Sequence, residues 1–228
     1  MNQSSLDWFL AEEQARLEEV ASHFFGYYLL ILSNSDVYPR IECPISTHIV
    51  VKQMAENLKF QQAIVADWTE LPFAPGSIDA MILPHVMDCY KNTSGLLNEV
   101  ALLLRHDGHV VLTGFNPLRI KARRLAKRYH KQGLRLCLCS TVIKALTQAG
   151  FEIVTVKRFG FVALKNKAME KWLNRVLDSV LPSMGCAYVI VAQKKVLAPI
   201  AELPNWTSSL LQSEKVVISS CRVQSNDR

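Results

Sequence analysis

Four short polar stretches stand where apolar runs end, and their types define what chemistry this chain could perform. Asp67 follows the run AIVA, His85 follows MILP, Asn116 follows VVLTGF, and Ser33-Asn34 follows YLLIL. A carboxylate such as Asp67 can accept a hydrogen bond from an exocyclic amine without a partner cation, and an adjacent aromatic, Trp68 or Phe73, can stack on a ring. The same aspartate can instead cap its own turn. An imidazole titrating near neutrality, as at His85, can take a proton from an oxygen or nitrogen, or it can bond a loop carbonyl. Asn116 directly before Pro117 suits a helix N-cap with proline at N1, and could also orient a ligand.

Such residues act together only if the intervening elements bring them to one edge. Leu6 to Phe25 reads as a helix with Trp8, Phe9, Ala11, Ala15, Val20 and Phe24 on its apolar side and Gly26 as its stop. Tyr27 to Ser33, Ile49 to Lys52, Ala63 to Ala66, Ile78 to Leu83 and His109 to Phe115 read as buried strands. Thr93 to Leu104 reads as a helix closed by Asp107-Gly108, and a helix capped by Ser140 runs to Gly150. FEIVTVKRF and Cys186 to Ala192 supply two more strands, with an amphipathic helix from Lys165 to Leu181 between them. Strands alternating with helices predict an α/β, Rossmann-like, doubly wound sheet, mostly parallel, with helices on both faces and a C-terminal antiparallel hairpin. In such a sheet ligands bind beyond the carboxyl ends of the strands, which is where the four polar stretches lie.

Charge and composition narrow the class. The 228 residues carry a formal charge of +6 and are half hydrophobic, the balance of a globular domain with a sizeable core. The charge is local: no acidic residue occurs from 108 to 151, whereas Arg119, Lys121, Arg123, Arg124, Lys127, Arg128, Lys131, Arg135 and Lys144 all fall there. Residues 119–135 are therefore a candidate surface for a nucleic acid or an anionic membrane, set against the plainer role of a solvated helix face. The six cysteines lack metal-ligand spacing and read as free thiols, and no metal site is expected. An N-terminus with acidic residues, and no apolar run of about 18 to 20 residues, predict a cytoplasmic protein without a transmembrane segment. Residues 1–196 are expected to form one domain, with an N-terminal helix over 1–26 and a basic helical insertion over 117–135, and 197–228 to form a poorly ordered tail.

The stretch ADWTELPFAPGSIDAMILPHVM, a helix, and then LLLRHDGHVVLTGFNP resemble the class I S-adenosylmethionine-dependent methyltransferases, most closely a group of small bacterial methyltransferase-like proteins without the glycine-rich first loop. The resemblance implies that Asp67 accepts from the adenine amino group and that Ser33, Asn34, Trp68, Leu83 and Pro84 border the cofactor. It makes His85 the residue facing the transferable methyl, and Asn116, Arg119 and Arg123 the acceptor side, with the acceptor itself unidentified. The expected activity is S-adenosylmethionine-dependent methyl transfer. The alternative is a catalytically inactive scaffold, because Asn34, Ser35 and Asp36 replace glycines, only 15 residues separate the first two strands, and Lys52-Gln53 stands where an acid usually holds the ribose.

Overall fold

Alternation within the apolar runs decides which way each strand faces, and it divides the interior into two cores. The structure, a computed structural model, describes residues 4–33, 41–53, 63–129, 134–160 and 185–195. Its elements are α1 (Ser4–Ala21), β1 (Tyr28–Leu32), β2 (Thr47–Lys52), β3 (Ala63–Val65), β4 (Ile78–Pro84), a 3-10 turn (Val86–Asp88), α2 (Thr93–Leu103), β5 (Leu104–Phe115), α3 (Ile120–Tyr129), α4 (Cys139–Gln148), β6 (Phe151–Phe159) and β7 (Ala187–Lys194). They build a seven-stranded sheet in the order β3-β2-β1-β4-β5-β7-β6. Pairings among β1 to β5 are parallel, and β7 runs antiparallel between β5 and β6. The order reverses between β1 and β4, so a ligand crevice belongs at their carboxyl ends.

Leu29 and Ile31 of β1, Ala80 and Ile82 of β4, and Val189 and Val191 of β7 face one core, which α1 and α3 cover with Phe9, Leu17, Ala122, Leu125 and Ala126. Leu30, Leu32, Met81, Leu83, Tyr188 and Ile190 face the other, covered by α2 and α4 through Leu96, Leu97, Val100, Val142 and Leu146. The buried stripe of α1 is Leu6, Phe9, Glu13, Leu17 and Ala21. Ala11 and Ala15, expected inside, are exposed. The helix also ends at Ala21, earlier than the expected Phe25.

Gly26 does not stop α1 but serves the next strand. Its φ of 150° and its contact with the Asp79 side chain leave no room for a Cβ. Asp79 then accepts from the amides of Tyr27 at 2.7 Å and Tyr28 at 2.9 Å and from Arg105, fastening the amino edges of β1, β4 and β5 together. Two helix starts also differ in detail. Asn92 caps α2 by accepting from the Gly95 amide at 3.1 Å, as an Asx N-cap should. The expected cap Ser140 lies instead inside α4, whose N-cap is Leu138 without a side-chain bond. The expected helix 165–181 and the tail 197–228 fall outside the described residues.

Candidate functional site

At the carboxyl end of β3, Asp67 stands exposed. Its Oδ1 accepts from the Thr69 amide at 3.0 Å, the Thr69 hydroxyl at 2.9 Å and the Tyr90 hydroxyl at 3.1 Å. Those bonds, the Thr69 amide foremost, hold the carboxyl below the usual aspartate range, so it stays an ionised acceptor at neutral pH. The turn-capping role is therefore real, yet it engages one oxygen; Oδ2 takes no hydrogen bond among the described residues. The two roles weighed for this residue can coexist.

Trp68 departs from its expected part. The indole is fully buried among Leu32, Val51, Leu71 and Leu97, so it offers no face for a ring to stack on, and its Nε1 has no partner among the described residues. Tyr90, tilted against it at 5.4 Å, is the aromatic whose hydroxyl reaches Asp67. Ser33, at the end of β1, is buried and its amide donates to the Val51 carbonyl at 3.1 Å. Leu83 and Pro84 are buried at the end of β4. Asn34 lies outside the described residues, as does the rest of 34–40. Lys52, where a ribose-holding acid was sought, is itself buried.

His85 is withdrawn from the rim. It sits in the left-handed region, φ 54° and ψ 19°, where β4 turns abruptly into the 3-10 turn. Its amide donates to the Thr113 carbonyl and hydroxyl, both at 3.1 Å. The ring is completely buried, stacked on Phe115 with centroids 3.9 Å apart and flanked by Phe9 and Tyr129. Nδ1 lies 3.1 Å from Asp88 Oδ2, and Nε2 lies 3.1 Å from Glu13 Oε1. Burial opposes the charge on this ring, but the Glu13 and Asp88 carboxylates outweigh it and push the pKa up to about 9. With both ring nitrogens facing carboxylates and no exposed surface, the ring is placed as a buried cation between two acids rather than as a base open to the rim.

Those acids tie several elements to one point. Glu13 Oε1 accepts from the Thr113 hydroxyl at 2.7 Å, joining α1 to β5, while its Oε2 is buried without a partner among the described residues. Asp88 Oδ2 accepts from the Phe115 amide at 2.8 Å, and the Asp88 carbonyl accepts from the Arg135 amide at 2.6 Å. Glu13, Asp88, Thr113 and Tyr90 were not singled out from the sequence. The signal for Glu13 was present: it is the one acid on the Leu6-Phe9-Leu17 stripe, and a carboxylate on a buried stripe needs a partner.

Beyond β5, Asn116 spends its side chain on the backbone. Its Nδ2 donates to the Gly185 carbonyl at 3.0 Å and its Oδ1 accepts from the Leu118 amide at 3.1 Å, closing an Asx turn; α3 begins only at Ile120, so the expected N-cap with Pro117 at N1 is not formed. Arg123 is exposed, and its Nε folds back to the Pro117 carbonyl at 2.7 Å. Arg119 is half-buried at the same rim. Among the described residues there is no cluster of three or more metal-ligating side chains, and no helix is long and apolar enough to cross a membrane.

Comparison with known proteins gives this arrangement its context. Residues 41–112 match the family model of a methyltransferase domain. The uncharacterized protein YafS of Escherichia coli (strain K12) is 26% identical over 178 residues, covering 76% of this chain and 70% of that protein. Among solved structures, a SAM-dependent methyltransferase from Archaeoglobus fulgidus superposes with a TM-score of 0.59 at 15% identity, covering 81% of this chain and 94% of its own. Geranyl diphosphate C-methyltransferase from Streptomyces coelicolor A3(2), in complex with Mg2+, geranyl diphosphate and S-adenosyl-L-homocysteine, does so with a TM-score of 0.54 at 14% identity, covering 82% and 81% respectively. At these identities the likeness to solved structures is one of fold.

Proposed function

We propose that this chain, which has the class I methyltransferase fold and matches a methyltransferase-domain model over residues 41–112, binds S-adenosylmethionine and transfers its methyl group to an acceptor at the carboxyl rim. The observation that carries this is Asp67: an ionised, exposed carboxylate at the end of β3 with one oxygen fixed by Thr69 and Tyr90 and the other open. That geometry fits the adenine amino group, which needs one oriented acceptor. The ribose side fits less well, since Lys52 ends β2 and Gln53 follows it in place of an acid.

The bound cofactor would supply a methyl carbon made electrophilic by its sulfonium. The chain's own residues would align and enclose it. Asp67 accepts from the base, Tyr90 fixes that carboxylate, and Ser33, Leu83 and Pro84 form the floor at the ends of β1 and β4. Arg119 and Arg123, after β5, supply positive charge on the acceptor side. Displacement at a methyl carbon depends chiefly on alignment and on exclusion of water, so a base is dispensable. His85 accordingly serves as a buried post: with Glu13 and Asp88 it fixes the β4 turn, the end of β5 and α1 as one wall of the rim.

Calorimetry and thermal shift with S-adenosylmethionine and S-adenosylhomocysteine test the proposal. A saturable signal is expected, raising Tm as any ligand of the folded state must. Folded protein that gives neither heat nor shift overturns it. A second reading, a scaffold that keeps the fold without catalysis, is favoured by the lack of any glycine between Gly26 and Gly76. Cofactor binding without incorporation of labelled methyl into a cell extract would select it.

A further inference from the structure

α3 carries two opposite stripes of the same helical period. Ala122, Leu125, Ala126 and Tyr129 are buried and seat it on the fold. Ile120, Arg123, Arg124 and Lys127, spaced i, i+3, i+4, i+7, form the outer stripe, and all four are exposed. Ile120 is 69% exposed, and Leu118, in the turn that leads into the helix, is 72% exposed. Arg123, Arg124 and Lys127 form no ion pair with a carboxylate among the described residues. No acidic residue occurs anywhere from 108 to 151 to offset them.

This combination selects among anionic partners. Guanidinium groups match the oxygens of any phosphodiester, so the cations alone would suit a nucleic acid or a lipid surface equally. The two aliphatic side chains do not. On a nucleic acid they would remain in water, and the outer stripe offers no aromatic for bases to stack on. The exposed aromatics Phe25, Tyr27 and Tyr28 lie at the amino edge of β1, whereas α3 follows the carboxyl end of β5. At a bilayer, by contrast, leucine and isoleucine enter the boundary between headgroups and acyl chains while the flanking cations meet lipid phosphates.

We propose that the outer stripe of α3 together with Leu118 docks the protein peripherally on an anionic membrane surface. The surface leaves the sheet directly after β5, so docking would bring the carboxyl rim close to the bilayer. It requires no cofactor, and its success or failure is independent of the methyl-transfer reading.

Co-sedimentation of the full chain with vesicles tests it, comparing phosphatidylcholine alone with phosphatidylcholine mixed with phosphatidylglycerol. The protein is expected to partition onto the mixed vesicles and not onto the neutral ones, with binding weakened by salt. Because a basic residue near such a surface contributes roughly fivefold in affinity, R124E/K127E is expected to weaken partitioning by at least about tenfold. L118S/I120S is expected to weaken it severalfold at unchanged charge. These side chains are exposed, so circular dichroism and Tm should match the parent in both variants. Absence of partitioning onto anionic vesicles overturns the proposal, as does partitioning that L118S/I120S leaves intact. Binding to a single-stranded RNA oligomer in preference to the vesicles, lost in R124E/K127E and kept in L118S/I120S, overturns it in favour of a nucleic-acid face.

Discussion

A histidine held between two buried acids links stability to pH in a direction that can be worked out. The folded pKa of His85, about 9, lies above its ordinary value near 6.5. Its contribution is therefore fully present below pH 6.5 and is lost as pH rises through 9. Denaturant midpoints measured from pH 6 to 9.5 should fall more steeply for the parent than for His85→Gln; equal slopes would mean that the ring is neutral. Glu13→Ala leaves the imidazolium with one partner, and breaking a buried pair in this way costs about 3–5 kcal/mol, readable as a lowered urea midpoint. For Asp67, substitution by asparagine keeps an oxygen for the Thr69 turn but places an amide donor where an acceptor is needed. Losing a hydrogen bond to a charged group in this way, Asp67→Asn should weaken S-adenosylhomocysteine binding roughly 10-fold or more with little change in Tm. Asp67 was legible because it closes an apolar run ahead of the LPF stretch. The His85 network was not, because its partners come from α1 and from the residue three places on, and loop-to-helix contacts of that kind leave no periodic trace.

Elements were legible where their period was strong and obscure where side chains override it. Every strand from Tyr28 to Tyr188 that the apolar runs announced is present in the sheet. The apolar side of α1 differs from the expected one because Trp8, Ala11 and Ala15 resemble a face, while its actual inner stripe contains a glutamate. The Asp79 fastening at the amino edge gives another prediction. Burial opposes ionisation there, but the Tyr28 and Tyr27 amides and Arg105 outweigh it and lower the carboxyl's pKa. Stability from this residue is thus present above the ordinary aspartate range and is lost as pH falls through the depressed value. Asp79→Ala, which strands two amides and a guanidinium, should cost about 2–3 kcal/mol by chemical denaturation at neutral pH. Gly114 is a second pressure point. A Cβ there would collide with the Tyr188 ring, whose hydroxyl donates to the Cys137 carbonyl at 3.2 Å. Gly114→Ala should therefore displace that ring and lower stability by about 1–3 kcal/mol, and Tyr188→Phe in the same background should recover little of it, since the ring carbons also meet the new methyl.

Across the whole molecule, the strand order with one antiparallel insertion fixes where a ligand crevice belongs, and the charge distribution marks the face proposed to meet an anionic surface. Both follow from features spread along the sequence: alternating apolar runs for the first, the acid-free stretch from 108 to 151 for the second. A ribose side for the proposed cofactor was less legible, since Lys52 and Gln53 stand where an acid is expected. The bond between Glu13 and Thr113 spans 100 positions. During synthesis at about 5–20 residues per second, α1 must wait roughly 5–20 s for β5 to leave the ribosome before its partners exist. Throughout that interval Phe9 and Leu17 have only the β1 and β4 part of their core and lack Val111 and Phe115, so nascent chains halted before Thr113 should be clients of chaperones, and early termination products should be the species that aggregate.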